Sequence, residues 1–293
     1  MAYKRAETGR ALAKAIEAEP TRVNLVAHSM GGLVARAALT HSPKKLGRII
    51  SLGTPNYGSF SPLQAFRGSH AVVRKLSWLD NGQNDLTSIF SGFQGLSEMF
   101  PDPGTIATDL FDLSNWPIEG ARPAQELLLK ARKVQKSLAT AKDAPLGIIQ
   151  IIGVNQETVV GATIQDKEFV YAMSHDGDGT VPLACASLPD ATATYYVEEE
   201  HGSLPNNSSV ARAVQSLIAT GETKELPTTH SIDRSGTRFV REHELLAVPF
   251  AGDSGRRLST REERFLVREF ASPIAHDRLS IDAAMVRCQS VRP

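Results

Sequence analysis

The first fifty residues switch twice between two hydrophobic periods. From about Lys4 to Ala18 the chain is rich in Ala, Glu, Lys and Arg, with Leu12 and Ile16 one turn apart. That spacing predicts a helix with a narrow apolar stripe, closed by Pro20. Val23-Asn24-Leu25-Val26-Ala27 is a short apolar run of the kind a parallel strand covered on both faces requires. A turn at His28 to Gly31 opens a second helical stretch, Gly32 to Thr40, and Arg48 to Gly53 reads as another apolar strand. The order strand, helix, strand implies an α/β protein with a right-handed crossover.

From Phe60 to about Ala144 the pattern predicts mostly helical segments broken by Pro101, Pro103, Pro117 and Pro123, an inserted cap. Six of the eleven phenylalanines and both tryptophans, Trp78 and Trp116, fall between Phe60 and Trp116. This density suggests a surface that meets something apolar, although for each residue taken singly ordinary packing is the commoner explanation. Leu127, Ala131, Val134 and Leu138 mark an amphipathic helix back toward the sheet. Strands are expected at Gly147 to Val154, Glu168 to Met173 and Thr192 to Val197, and a helix at Ser208 to Ala219, with Gly221 as its stop. The αβ rhythm then gives way to Arg, Glu and Asp, so residues 1–221 are taken as one unit and 222–293 as a charge-rich extension. Thr260 and Glu263 form a capping box for a helix to about Phe270.

Composition narrows the field by exclusion. Thirty-two basic residues balance thirty-two acidic ones, which gives no electrostatic reason to expect nucleic acid or an anionic membrane as partner. No apolar run reaches the roughly twenty residues of a transmembrane helix, and Met1 to Glu19 lacks the apolar stretch of a signal peptide. A cytoplasmic location is expected if Met1 is the true start. Cys185 and Cys288 lie far apart, with neither metal-ligand spacing nor a disulfide framework, and read as ordinary thiols.

The strongest chemical signal is Ala27-His28-Ser29-Met30-Gly31-Gly32, where a strand turns sharply into a helix. A small-x-Ser-x-small pattern alone is common by chance; its position between two strands raises it to a nucleophile elbow, with Ser29 as nucleophile. Ala27 and Gly31 meet the expected demand for small residues two before and two after the serine. The helix N-terminus supplies backbone N–H groups to a developing oxyanion, that of Met30 first among them. A hydroxyl at its ordinary pKa is a poor nucleophile, so the chain must also supply a base and a carboxylate to orient it.

Asp176-Gly177-Asp178-Gly179-Thr180-Val181-Pro182 follows a predicted strand, and glycines flank Asp178. Asp178 is the better acid and Asp176, on the same loop, its rival. A calcium loop of EF-hand type is excluded, because its sixth and twelfth positions hold Val181 and Ser187, so no metal site is expected. His201-Gly202 lies between the last strand and the last helix, where a base can reach the serine. Of the other histidines, His28 is on the elbow, His41 and His70 precede any acid, His175 is too near Asp178, and His230, His243 and His276 in the tail read as surface residues. Glu198 to Glu200 read as a solvated strand edge. Gly252-Asp253-Ser254-Gly255 imitates the serine loop of trypsin-type proteases without the matching order of His and Asp, and reads as a polar turn.

Together, Val23 to Arg36, Ile50-Ser51-Leu52-Gly53-Thr54-Pro55-Asn56-Tyr57-Gly58-Ser59, Gly177 to Pro182 and Glu200-His201-Gly202 resemble the lipase and lecithin:cholesterol acyltransferase-like branch of the α/β-hydrolase superfamily. The resemblance implies an α/β-hydrolase fold: a mostly parallel sheet with a helical cap at about 60–144. It also implies hydrolysis of carboxylic, especially fatty acyl, esters through an acyl-serine, with a small-molecule ester or lipid as substrate and no cofactor. Ser29, Asp178 and His201 carry the triad roles over. The same resemblance leaves an O-acyltransferase open as an alternative. It implies further strands ahead of the first helix, with a loop donating the second oxyanion N–H, and on that count the fold is N-terminally incomplete. Val23–Ala27 is then an open sheet edge suited to self-association or a partner chain, and an inactive fragment that acts by binding is the alternative from another class.

Overall fold

The computed structural model describes residues 5–79, 85–106, 108–139, 147–231, 236–247 and 285–286. The first unit is α1 (Arg5–Ala18), β1 (Val23–His28), α2 (Met30–Leu39) and β2 (Leu46–Leu52). Four short helices follow, α3 (Ser61–Phe66), α4 (Ala71–Leu79), α5 (Leu86–Ser91) and α6 (Gln94–Ser97), and then the longer α7 (Gln125–Ala139). Beyond them come β3 (Ile148–Gly153), β4 (Thr158–Gln165), β5 (Glu168–Ser174), α8 (Leu183–Ala186), β6 (Ala193–Val197) and α9 (Ser208–Ala219). The C-terminal elements are β7 (Arg238–Arg241), α10 (Glu242–Ala247) and β8 (Met285–Val286).

The main sheet runs β6-β3-β2-β1-β8, with β1, β2, β3 and β6 parallel. Successive side chains alternate faces, so neighbouring isoleucines in β2 serve opposite layers. Ile49 joins Leu25, Ala27 and Leu46 against Leu12, Ile16, Ala35, Ala38 and Leu39 of α1 and α2. Ile50 joins Leu52, Ile149, Ile151 and Tyr195 against Val210, Ala213 and Leu217 of α9. Helices on both faces explain why these strands read as continuous apolar runs.

The outer edge of β1, expected to be open, pairs antiparallel with β8 through Asn24 with Val286 and Leu25 with Met285. A two-residue strand leaves no periodicity in a sequence, so nothing announced it. At the opposite edge, Leu226 enters the core and the Pro227 carbonyl accepts from Tyr196 N–H at 2.9 Å. No described helix is long and apolar enough to cross a membrane.

A second sheet, β4-β5-β7, is antiparallel and forms one wall of the cap core. Thr158–Gln165, for which the sequence predicts no strand, pairs with β5 through a turn at Asp166 and Lys167, both at positive φ (50° and 68°). Asp166 suits the first position of such a turn, but Lys167 stands where Gly normally signals it. The cap aromatics are packed inward: Phe60, Phe66, Phe100, Phe111 and Trp116 are buried with Phe169 and Tyr171 of β5. Ordinary core packing therefore accounts for that cluster, and Phe93, 42% exposed, is an exception. The predicted helix at Thr260 to Phe270, the Gly252 to Gly255 turn, His276 and Cys288 lie outside the described residues.

Candidate active site

The site stands on the C-terminal rim of the parallel strands, where three connections meet. Ser29 follows β1 and takes φ 54° and ψ −127°, backbone that L-residues rarely adopt. Two hydrogen bonds hold it there: Ser29 N–H donates to the Leu52 carbonyl at 2.9 Å, and Gly32 N–H donates to the Ser29 carbonyl at 3.0 Å. The tight approach is at Gly32, where a Cβ would lie 2.0 Å from Thr54 Oγ1. At Gly31, where the sequence placed the demand for smallness, a Cβ would sit an ordinary 3.8 Å from Ala27 Cβ. Thr54 and Gly32 are thus the pair that lets the elbow pack on the connection after β2. Met30 opens α2, and its N–H belongs to the helix-terminal donors that no i−4 carbonyl can reach.

The loop that carries Asp178 is anchored by two residues that lie in none of the sequence motifs, Gln156 and Thr158. Gln156 N–H donates to the Gly177 carbonyl at 3.0 Å, and Thr158 Oγ1 accepts from Gly179 N–H at 2.8 Å. Asp178, 1% exposed, accepts at Oδ1 from Thr180 N–H (3.0 Å) and Val181 N–H (2.7 Å). Two backbone donors on one oxygen fix the orientation of the carboxylate. Its other oxygen, Oδ2, lies 2.7 Å from His201 Nδ1. Asp176 is exposed at the mouth of the loop.

His201 begins a 3-10 turn, His201–Asn206, directly after the β6 connection. Its Nε2 is 2.8 Å from Ser29 Oγ. Ser29, Asp178 and His201 are therefore brought into one chain of hydrogen bonds, and Asp176 is not part of it. Beneath them lies Gly53 at φ +54°, where a Cβ would fall 3.0 Å from Asp178 Oδ2 and 3.1 Å from His201 Nδ1. Of the other histidines, His28 lies against His201 with ring centroids 4.8 Å apart, His243 Nδ1 contacts Glu168 at 2.8 Å, and His230, expected from sequence to be a surface residue, lies against Tyr196 with ring centroids 4.4 Å apart. Among the described residues no group of His, Cys, Asp and Glu is arranged to hold a metal ion.

A mostly parallel sheet covered on both faces, a strained serine between strand and helix, and a second, antiparallel sheet define the architecture. The chain has the α/β-hydrolase fold. Residues 7–84 match the family described as PGAP1-like alpha/beta domain. No curated protein matches it in sequence. Among solved structures it is similar to the Bacillus licheniformis lipase BlEst2 in its propeptide form, at 16% identity and TM-score 0.43, over 78% of this chain and 43% of that one. It is also similar to the Tle4–Tli4 complex, at 15% identity and TM-score 0.45, over 70% of this chain and 61% of that one. A third is the phospholipase PlaB from Legionella pneumophila, at 13% identity and TM-score 0.31, over 63% and 34%. The chain spans less than two thirds of the length of each of these three.

Proposed function

We propose that the protein is a serine acyl hydrolase acting on carboxylic esters, with fatty acyl esters as the substrate class. One observation carries the reading: an unbroken relay from Ser29 Oγ through the His201 ring to Asp178 Oδ2, with distances of 2.8 and 2.7 Å. In the reaction, Ser29 Oγ attacks the ester carbonyl carbon while His201 Nε2 takes the hydroxyl proton. The resulting imidazolium keeps its Nδ1–H on Asp178, which stabilises that charge and fixes the ring. Negative charge on the former carbonyl oxygen turns toward the Met30 N–H at the start of α2, where the helix dipole favours it. Collapse of the tetrahedral intermediate breaks the bond to the alkoxy oxygen, which leaves with the proton from His201. Water then repeats the sequence on the acyl-serine and restores the hydroxyl. The test is covalent labelling with a fluorophosphonate alongside p-nitrophenyl ester cleavage. Wild-type protein should give a single adduct on Ser29 and measurable turnover, and Ser29→Ala should give neither. A folded wild-type chain that neither labels nor cleaves overturns the proposal.

A further inference from the structure

His28, the last residue of β1, immediately precedes the proposed nucleophile. Its Nε2 lies 2.8 Å from the backbone carbonyl oxygen of His201. A carbonyl only accepts, so Nε2 carries the hydrogen. The same residue, His201, receives three other fixed contacts. Its N–H donates to the Asp178 carbonyl at 2.8 Å, its Nδ1 faces Asp178 Oδ2 and its Nε2 faces Ser29 Oγ. His201 is therefore gripped at both ends of its backbone and both nitrogens of its ring. The elbow supplies two of those four contacts from consecutive residues. Strand geometry makes this coupling possible, since His28 is the last residue of β1 and Ser29 the first of the turn.

We infer that His28 is a positioning residue for the reaction, holding the His201 main chain so that the imidazole meets Ser29 Oγ in line. The inference rests on the acyl-hydrolase reading of the same site. The two rings stand 4.8 Å apart at a 40° tilt. A charged His28 would face the imidazolium that forms on His201 during turnover. Burial, together with the nearness of His201, holds the His28 pKa below its ordinary value, in keeping with a neutral donor. Loss of positioning worth about 1.4 kcal/mol in the transition state lowers the rate roughly tenfold.

The test compares His28→Phe, which keeps a ring without a donor, with His28→Gln, whose amide N–H reaches to a similar distance. The expected result is a kcat for p-nitrophenyl butyrate lowered about tenfold in His28→Phe, with KM within about twofold and the fluorophosphonate labelling rate lowered in proportion. His28→Gln should recover most of that loss. Equal activities in the two variants, or a loss confined to KM, overturn the inference. The low-field proton resonance of His201 Nδ1–H gives a readout free of turnover: it should broaden or shift in His28→Phe and return in His28→Gln. If wild-type protein neither cleaves nor labels, the hydrolase reading fails, and this resonance alone still decides whether His28 positions His201. If His28→Phe does not fold, an unchanged resonance and rate in His28→Gln and a shifted resonance in His28→Leu uphold the inference; any other outcome overturns it.

Discussion

Arg67 of the cap and Glu242 of the C-terminal extension form a two-point ion pair, with Nε to Oε1 at 2.8 Å and Nη2 to Oε2 at 2.7 Å. Both side chains are nearly sealed from solvent, at 8% and 6% exposure. Tyr171 O–H donates to the same carboxylate at 3.2 Å, and burial pushes the tyrosine pKa upward, so it stays neutral and donates. β7 and α10 thereby tie the extension to the cap sheet. Removing one partner of a buried pair leaves the other charge without compensation, a cost of about 3 kcal/mol. Glu242→Leu should lower the urea midpoint accordingly, and restoring neutrality with Arg67→Met in the same chain should regain part of the loss. The exposed Lys130–Glu126 pair is the control: Glu126→Gln should leave the midpoint where it was. Equal effects of the two single variants would remove the case for a buried clasp.

Gly53 forms the floor under the acid and the base. A methyl group there would enter the space between Asp178 Oδ2 and His201 Nδ1 and would also meet Leu204 Cδ1 at 2.7 Å, on backbone at φ +54° that disfavours any side chain. Misplacing reacting groups by as little as an ångström costs on the order of 10²-fold. Gly53→Ala should therefore lower kcat by about that factor in p-nitrophenyl ester assays. Gly202→Ala, where a Cβ meets nothing within 4 Å, should leave the rate nearly unchanged although it adjoins His201.

The two aspartates of one loop should differ sharply. Asp178→Asn keeps the shape but replaces an acceptor by a group that can present N–H to the imidazole, which favours the wrong tautomer and should cost about 10⁴-fold in kcat. Asp176→Asn changes an exposed side chain outside the relay and should stay within about threefold. Parallel rate measurements on the two variants check the assignment. A severe loss in Asp176→Asn with a mild one in Asp178→Asn would reverse it.

The legible parts of the sequence were those whose cause is local. Val23 to Ala27, Ile49 to Leu52 and Ile148 to Ile152 are apolar because helices cover both faces of the sheet, and the run itself carries that information. The sharp turn at Ser29 was legible because a strand and a helix follow one another directly there in the sequence. The small sheet was not, because β7 (Arg-Phe-Val-Arg) pairs with a strand some seventy residues earlier and two of its four residues are charged. Gly32, Gly53 and Thr54 fall within motifs that the sequence marks, but what they do, like the role of Thr158, rests on contacts between distant segments that no local pattern encodes.

The aromatic residues of the cap offer the last discriminating measurement. Phe100 makes edge-on contacts with Phe66, Phe111 and Trp116 at centroid distances of 5.4, 5.9 and 5.6 Å, and the Trp116 indole N–H donates to the Leu110 carbonyl at 2.9 Å. A filled cluster of this kind holds the cap together and offers its interior to no ligand. Phe100→Ala removes a wholly buried ring and leaves a cavity, so it should destabilise the chain by about 3–5 kcal/mol. Below the lowered melting point, kcat for a short-chain ester should be retained. Phe93 is the contrast, since its exposed ring contributes less burial, and Phe93→Ser should change stability by only about 0.5 kcal/mol. If Phe100→Ala instead left stability intact and raised KM selectively for long-chain esters, the cluster would line the acyl site, and the packing account of the cap would be wrong.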